Sequence, residues 1–417
     1  MRTDASPDEA PLLTLHKEDV MRRPSRPLLS LLALALLTFG LGAAAADAQS
    51  IKIGNLVDLT GPTSDQGKDI AQGRNDAIQY LNEKGGVNGR KLELVSVEYG
   101  FQPPRAVAAY KKFIQDDKVL LVLGYGTPDT EALRPYITKD KVPYISGSYS
   151  GHLTDPRSTP YNFPGGIDYT SQIRIFLNYV KESWKDGSRK PRVAFIFADN
   201  AYGRAPIESG RAYAKEIGVD LVDEEVIPTV LTDATSQLLT MKTKDPDYAY
   251  INTNTQWVPV VLKDSYKLGL KTKYVVNNYG IDERTPGLAR EAAEGVMGLQ
   301  DVAYWGENVP GMKTLMEWHQ KHHPNDTHAS PYMRGWLWTL MAAEAIKRAG
   351  PNPTGEGVKK ALETLKEWDT WGITPPFTYT NEDHRPTNRA RLVLIKDGKV
   401  VPVREVSVER DMKWIGK

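Results

Sequence analysis

The chain has 417 residues, 40% of them hydrophobic and 25% charged, a composition that excludes a disordered chain and is long enough for two domains. Its 53 basic side chains against 52 acidic ones leave a net charge of +1, so it carries no electrostatic footprint for nucleic acid or an anionic membrane. With no cysteine it has no disulfide, thiol nucleophile, thiolate metal site or lipidated N-terminal cysteine.

Met21 is followed by Arg22, Arg23 and Arg26, then by the apolar run LLSLLALALLTFGLG (28–42), then by AAAADAQS with small residues at Ala46 and Ala48. Basic, apolar and small segments in that order read as a secretory signal. RRPSRP lacks the rest of a twin-arginine pattern, so general secretion is expected. The apolar run is shorter than the about 20 residues that span a bilayer, which favours cleavage near Ala48 over a retained anchor. The mature protein is expected to be exported and soluble from about Gln49.

From Ile51 strands and helices alternate. IKIGNL (51–56) precedes a helix near 66–84, in which Ile70, Ala77, Ile78 and Leu81 share a face and Gly85-Gly86 ends the helix. KLELVSV (91–97), a helix after Pro103-Pro104, VLLVLG (119–124), a helix through Ile137 and VPYISG (142–147) complete a first α/β series. A helix near 170–184 opens a second: strands at 192–199, 221–227, 247–253 and 273–278, with helices near 204–217, 235–243 and 257–268. GVMGLQ (295–300), helices near 311–323 and 330–349, and a hairpin with an Asp397-Gly398 turn follow. The pattern predicts two similar α/β lobes with parallel-rich sheets joined by several crossings. The N-terminal lobe is placed at 49–168 plus 299–372 and the C-terminal lobe at 169–298 plus 373–417, after the 1–48 extension.

GYGTPD (124–129) begins like a dinucleotide fingerprint, but Asp129 takes the third glycine's place and the stretch follows the third strand, not the first. No Gly-Lys-Ser/Thr sequence is present, so a P-loop is excluded. GSYSG (147–151) has Tyr149 where a nucleophile elbow has serine, and reads as a strand-end loop. His319, His322, His323 and His328 cluster, but no carboxylate sits between two helical histidines as in zincins. A solvated, charged helix end is the simpler account, with an adventitious nickel or zinc site as the alternative. Tyr332, Trp336 and Leu340 fall on one helix face, expected as core and alternatively as a ligand-stacking surface.

In open parallel sheets ligands bind outside the carboxyl ends of the strands. The loops 124–130, 147–151, 199–204, 252–257 and 277–281 leave such ends, and Tyr125, Tyr149, Tyr202, Trp257 and Tyr279 lie on them. The cleft between lobes is therefore the expected site, with no cofactor and no metal required.

The stretch IKIGNLVDLTGPTSDQGKDIAQGRNDAIQYLNEKGGVNGRKLELV, with GYGTPDTEAL, VPYISGSYS, FADNAYGRA, YKLGLKTKYVVNN, AAEGVMG and AAEAIKRAG in order behind it, resembles the type I periplasmic solute-binding proteins of the leucine/isoleucine/valine-binding class. The resemblance spans essentially the mature chain. It implies a hinged, non-enzymatic, periplasmic clamp that captures a small solute and delivers it to the membrane permease of an ABC importer. It also implies that Thr127, with Thr130 beside it, and Ser148 and Ser150 grip a carboxylate, and that Tyr202 closes over the ligand. Tyr125, Tyr149, Asn254, Trp257, Asn278 and Tyr279 complete the expected ligand loops.

One position departs from the pattern. Amino-acid-binding members hold the ligand's ammonium with an acid where this chain has Asn278, or Asn277 if the register slips, and only Asp282 or Glu283 is near enough in sequence to substitute. A buried ammonium without a carboxylate is poorly compensated, so unless one of those acids curls back the ligand is expected to lack an ammonium. The tyrosine-rich loops and Trp257 suit a flat carboxylate such as an aromatic acid, with a branched-chain amino acid or an amide as alternatives. A ligand-sensing receptor acting through a signalling partner and an exported enzyme are the competing functions.

Overall fold

The computed structural model describes residues 49–417; the predicted export signal lies outside the described residues. Strands β1 (Ile51–Val57), β2 (Leu92–Glu98), β3 (Leu121–Leu123), β4 (Tyr144–Ser146) and β5 (Asn162–Pro164) form an all-parallel sheet in the order β2-β1-β3-β4-β5. The central strands are near-continuous apolar runs because helices cover both faces. Helix Ser64–Glu83 lies against helix Ser330–Arg348, and two glycines set their approach. A Cβ at Gly73 would meet Tyr332 O at 2.2 Å, and one at Gly335 would meet Ile70 O at 2.1 Å. That close crossing fixes the face of the first helix that carries Gln66, Ile70 and Arg74.

The second sheet contains β6 (Arg192–Ala198), β7 (Asp220–Ile227), β8 (Tyr248–Asn252), β9 (Lys273–Val276), β10 (Met297–Gln300), β11 (Arg389–Lys396) and β12 (Lys399–Ser407), in the order β12-β11-β10-β9-β8-β6-β7. It is parallel through β10, while β11 and β12 add an antiparallel edge. The predicted turn joins them, with Asp397 and Gly398 at φ 53° and 70°. Helices bury Phe176 and Leu177 against one face of this sheet and Leu238 and Leu262 against the other.

Three local features differ from the sequence expectation. The helix expected over 204–217 is two pieces, Ala201–Arg204 and Ile207–Ile217, because Pro206 between them has no N–H to donate. Gly355–Leu362 is an additional helix, capped by Thr354 Oγ1 accepting from the Gly357 amide at 3.1 Å. Ile373, Phe377 and Tyr379 are buried in the first-lobe core, so the chain re-enters the second sheet at Arg389, later than residue 373.

Candidate functional site

Most of the parallel strands send their following loops or helices to one place. The first lobe contributes Thr63, Gln66 and Ile70 after β1, Phe101 after β2, Tyr125, Gly126 and Thr127 after β3, and Gly147 after β4. The second contributes Tyr169 from helix Tyr169–Ser183, Tyr202 after β6, Asn254 after β8 and Tyr279 after β9. These residues enclose about 40 Å³, so a ligand larger than a few atoms enters only when the lobes part. Five of the twelve lining residues are aromatic and none is ionised, which makes the chamber an apolar box edged with neutral hydroxyls and amides.

The turn after β3 explains the sequence's departure from a nucleotide motif. Asp129, at the third position of helix Thr127–Asp140, reaches back to accept the Gly126 amide at 2.9 Å, and it also accepts the Tyr99 hydroxyl at 2.7 Å and the Tyr144 hydroxyl at 3.1 Å. Burial lifts its pKa to about 6 against the pull of those hydrogen bonds. The acid is half of a capping box, and it occupies a donor that a phosphate would need. Pro128 has no N–H, so Thr127 carries the donors left at this turn. Its hydroxyl lies 2.8 Å from Ser148 Oγ.

Behind the turn lies a residue the sequence did not single out. Arg74 is fully buried, donates to Asn55 Oδ1 at 2.6 Å and to Leu56 O at 3.0 Å, and braces the Gly124 carbonyl. No carboxylate of the described residues forms an ion pair with it, and burial pushes its pKa down to about 10, so it keeps its charge at neutral pH. A buried cation held by carbonyl and amide dipoles and the Trp338 ring 5.4 Å away, with no carboxylate partner, favours an anion in the adjoining chamber.

The second-lobe wall has no matching charge of either sign. Tyr202 Oη accepts from Asn277 Nδ2 at 2.5 Å and donates to Thr253 O at 3.3 Å, and Tyr279 Oη donates across the cleft to Gly147 O at 2.7 Å. Burial holds the Tyr125, Tyr202 and Tyr279 hydroxyls far above their ordinary pKa, so all remain neutral donors. Asn278 donates its amide to Gln172 Oε1 at 3.1 Å and its carbonyl accepts from Arg334 at 3.0 Å, while both polar atoms of its side chain are buried without a partner among the described residues. The two acids near enough in sequence to replace it are engaged elsewhere. Asp282 pairs with Arg284, and Glu283 accepts the Trp305 and Ser330 amides at 2.7 and 2.9 Å.

Cross-lobe bonds hold the chamber shut. Gln66 Nε2 donates to Tyr279 O at 2.7 Å, and Arg284 donates to Asp65 O at 2.8 Å. At the hinge Arg334 pairs with buried Asp301 at 2.7 Å, donates to Gln300 Oε1 at 2.7 Å and stacks its guanidinium 4.6 Å from the Tyr279 ring centre.

Of the expected site residues, Tyr125, Thr127, Tyr202, Asn254 and Tyr279 meet on the chamber wall. Ser148 stands one hydrogen bond behind it. Thr130 instead donates to Gly126 O at 2.6 Å, and Ser150 Oγ lies 2.9 Å from His152 Nδ1. Tyr149 is packed between Tyr169 and Tyr279, Trp257 packs on the second-lobe core, and Asn278 lies off the lining. Thr63, Gln66, Ile70, Phe101 and Tyr169 line the chamber without having been expected. The histidine cluster is solvated only in part: His319 is buried, with ring centres 4.8 Å from Trp305 and 5.2 Å from His328, while His322, His323 and His328 are half-buried. Among the described residues no group of three or more histidines and acids is arranged to hold a metal ion. Tyr332 and Trp336 are core.

Two parallel-sheet lobes crossed by several connections, closing strand-end loops over a small chamber, define a hinged solute-binding clamp. Residues 50–399 match the periplasmic binding protein family, and the chain belongs to it. It is 21% identical over 390 residues to Leu/Ile/Val-binding protein homolog 7 of Brucella abortus (strain 2308), covering 89% of this chain and 96% of that one. It superposes on an ABC transporter substrate-binding protein of Aeropyrum pernix with a TM-score of 0.81 at 27% identity, covering 88% and 98% of the two chains. A branched-chain amino acid ABC transporter protein of Thermus thermophilus with bound valine gives a TM-score of 0.80 at 25% identity, covering 86% and 97%.

Proposed function

We propose that this protein is the exported, periplasmic substrate-binding component of an ABC importer, and that its ligand is a small organic carboxylate with an apolar, flat body and no ammonium group. The observation that carries the reading is the charge of the chamber: no ionised side chain on its wall, a buried unpaired Arg74 behind the Thr127 turn, and no acid at the second-lobe wall. A carboxylate accepts from Thr127 and gains from Arg74, whereas an ammonium at the other end is desolvated with no counter-ion. The aromatic set Phe101, Tyr125, Tyr169, Tyr202 and Tyr279 suits a ring. Capture closes the lobes, and the closed surface is what the permease recognises.

The names of the relatives favour a second reading, a branched-chain amino acid, since the Thermus thermophilus protein was solved with valine. Thermal-shift titration separates the two, because a ligand that binds only the folded state raises apparent stability. Benzoate and 4-hydroxybenzoate are expected to raise Tm, and leucine and valine to leave it unchanged. The reverse pattern would overturn the ammonium-free reading while leaving the transport role standing.

A further inference from the structure

A second cavity, of about 430 Å³, lies within the first lobe and is ten times roomier than the interlobe chamber. Its walls come from the ends of helices Ser64–Glu83 and Ser330–Arg348, the start of helix Pro310–His322 and the loop 368–373. Tyr80, Trp336, Leu340, Trp368 and Trp371 make it aromatic. Trp336 is the residue whose helical stripe suggested either core or ligand stacking; its ring is buried, 5.3 Å from Tyr80, and it still borders this space.

Two features point to an occupant. The loop holds Trp371 at φ +52°, in the left-handed region that a bulky residue avoids, yet leaves the side chain 41% exposed over the cavity. The strain is fixed from both sides: the Trp371 amide donates to Asp369 Oδ1 at 2.7 Å, and its carbonyl accepts from Gly311 at 2.8 Å. Backbone strain that holds an exposed indole beside a ready-made hollow is the mark of a ligand clamp. The second feature is charge. Glu344 on the rim is already paired with Arg348 at 2.7 Å, whereas Lys347, also on the rim and exposed, has no ion pair among the described residues.

We infer that this cavity is a second binding site, for an organic anion with a planar ring: the ring packs against the exposed face of Trp371 over the hollow that Leu340 and Trp368 also line, and the anionic group meets Lys347. The site stands on different residues from the transport cleft and does not depend on the reading of that cleft.

Isothermal titration with 2-naphthoate tests it in a Thr127→Ala background, which disables the cleft's donor. One saturable site is expected to persist there. Trp371→Ala should weaken it at least tenfold and Lys347→Gln about fivefold, with Lys347→Arg restoring the affinity. The inference is overturned by unchanged affinity in both Trp371→Ala and Lys347→Gln, by the absence of saturable binding in the Thr127→Ala protein, or by sedimentation showing that a second copy covers the groove.

Discussion

The two walls of the interlobe chamber are built by the same rule and differ in charge. Both are loops at the carboxyl ends of parallel strands, edged with buried tyrosines. Behind the first-lobe wall stand a buried guanidinium and a capped helix N-terminus. The second presents Asn254 and Tyr279, with the unpartnered side chain of Asn278 set back from the lining. A common scaffold thus carries a polarity that decides which end of a solute is held by charge and which by shape. The polarity is local, since net charge over the whole chain is nearly zero.

The largest break in that comparison is Thr127→Ala. A hydrogen bond to a carboxylate contributes about 1.5 to 3 kcal/mol, so affinity for a carboxylate should fall roughly 10- to 150-fold. Calorimetry with the solute that co-purifies, identified by mass spectrometry, measures it. Unchanged affinity would mean that the anion sits elsewhere.

Asp129 sharpens the same wall through pH. Its pKa is raised by burial, from 3.8 to about 6, so the folded state binds this proton more tightly than the unfolded chain. The group's stabilising contribution is therefore complete below about pH 4 and is lost as pH rises through about 6, by something on the order of 2 to 3 kcal/mol. Asp129→Asn should lack that slope. Urea unfolding of both proteins at pH 4, 5, 6 and 7 gives the difference directly, and parallel curves would contradict the assignment.

Asn278→Asp makes the two walls more alike by adding an acid near the one that lacks it. The variant should gain a thermal response to valine and lose about tenfold, or ~1.4 kcal/mol, in affinity for a simple carboxylate. No response to valine would place residue 278 outside ligand reach, in keeping with its position off the present lining.

How much of this was legible in sequence follows from how each part is encoded. Strand and helix periodicity gave both lobes, and the rule of strand carboxyl ends gave Tyr125, Thr127, Tyr202, Asn254 and Tyr279. Gln66, Ile70 and Arg74 were invisible because they belong to a helix whose burial pattern reads as ordinary packing; only the close crossing at Gly73 and Gly335 turns that face toward the site. Tyr169 follows a lobe crossing that has no sequence signature. Tyr149, Ser150 and Trp257 lie on the right loops, but period alone does not say which side of a loop faces the cleft. The histidines misled in part: residue type suggested solvent, which holds for the half-buried His322 and His323, whereas Trp305 and Tyr332 pack against His319 and His328.

The smallest effect tests whether the walls are coupled at all. Gln66 reaches from the first lobe to the Tyr279 carbonyl at 2.7 Å, and Tyr279 returns a bond to Gly147 at 2.7 Å, so one residue of the second wall is held twice by the first. Neither bond exists once the lobes part, and each is therefore a differential contact that favours the closed form. Removing one neutral bond of this kind costs about 1 kcal/mol, so Gln66→Ala should weaken ligand binding roughly fivefold. Because the lost bond acts on closure and not on ligand contact, the loss should be the same for every ligand tried and should appear mainly as faster dissociation in stopped-flow measurements. A loss that varies from ligand to ligand would instead make Gln66 a direct contact, and the first wall alone would then do the recognising.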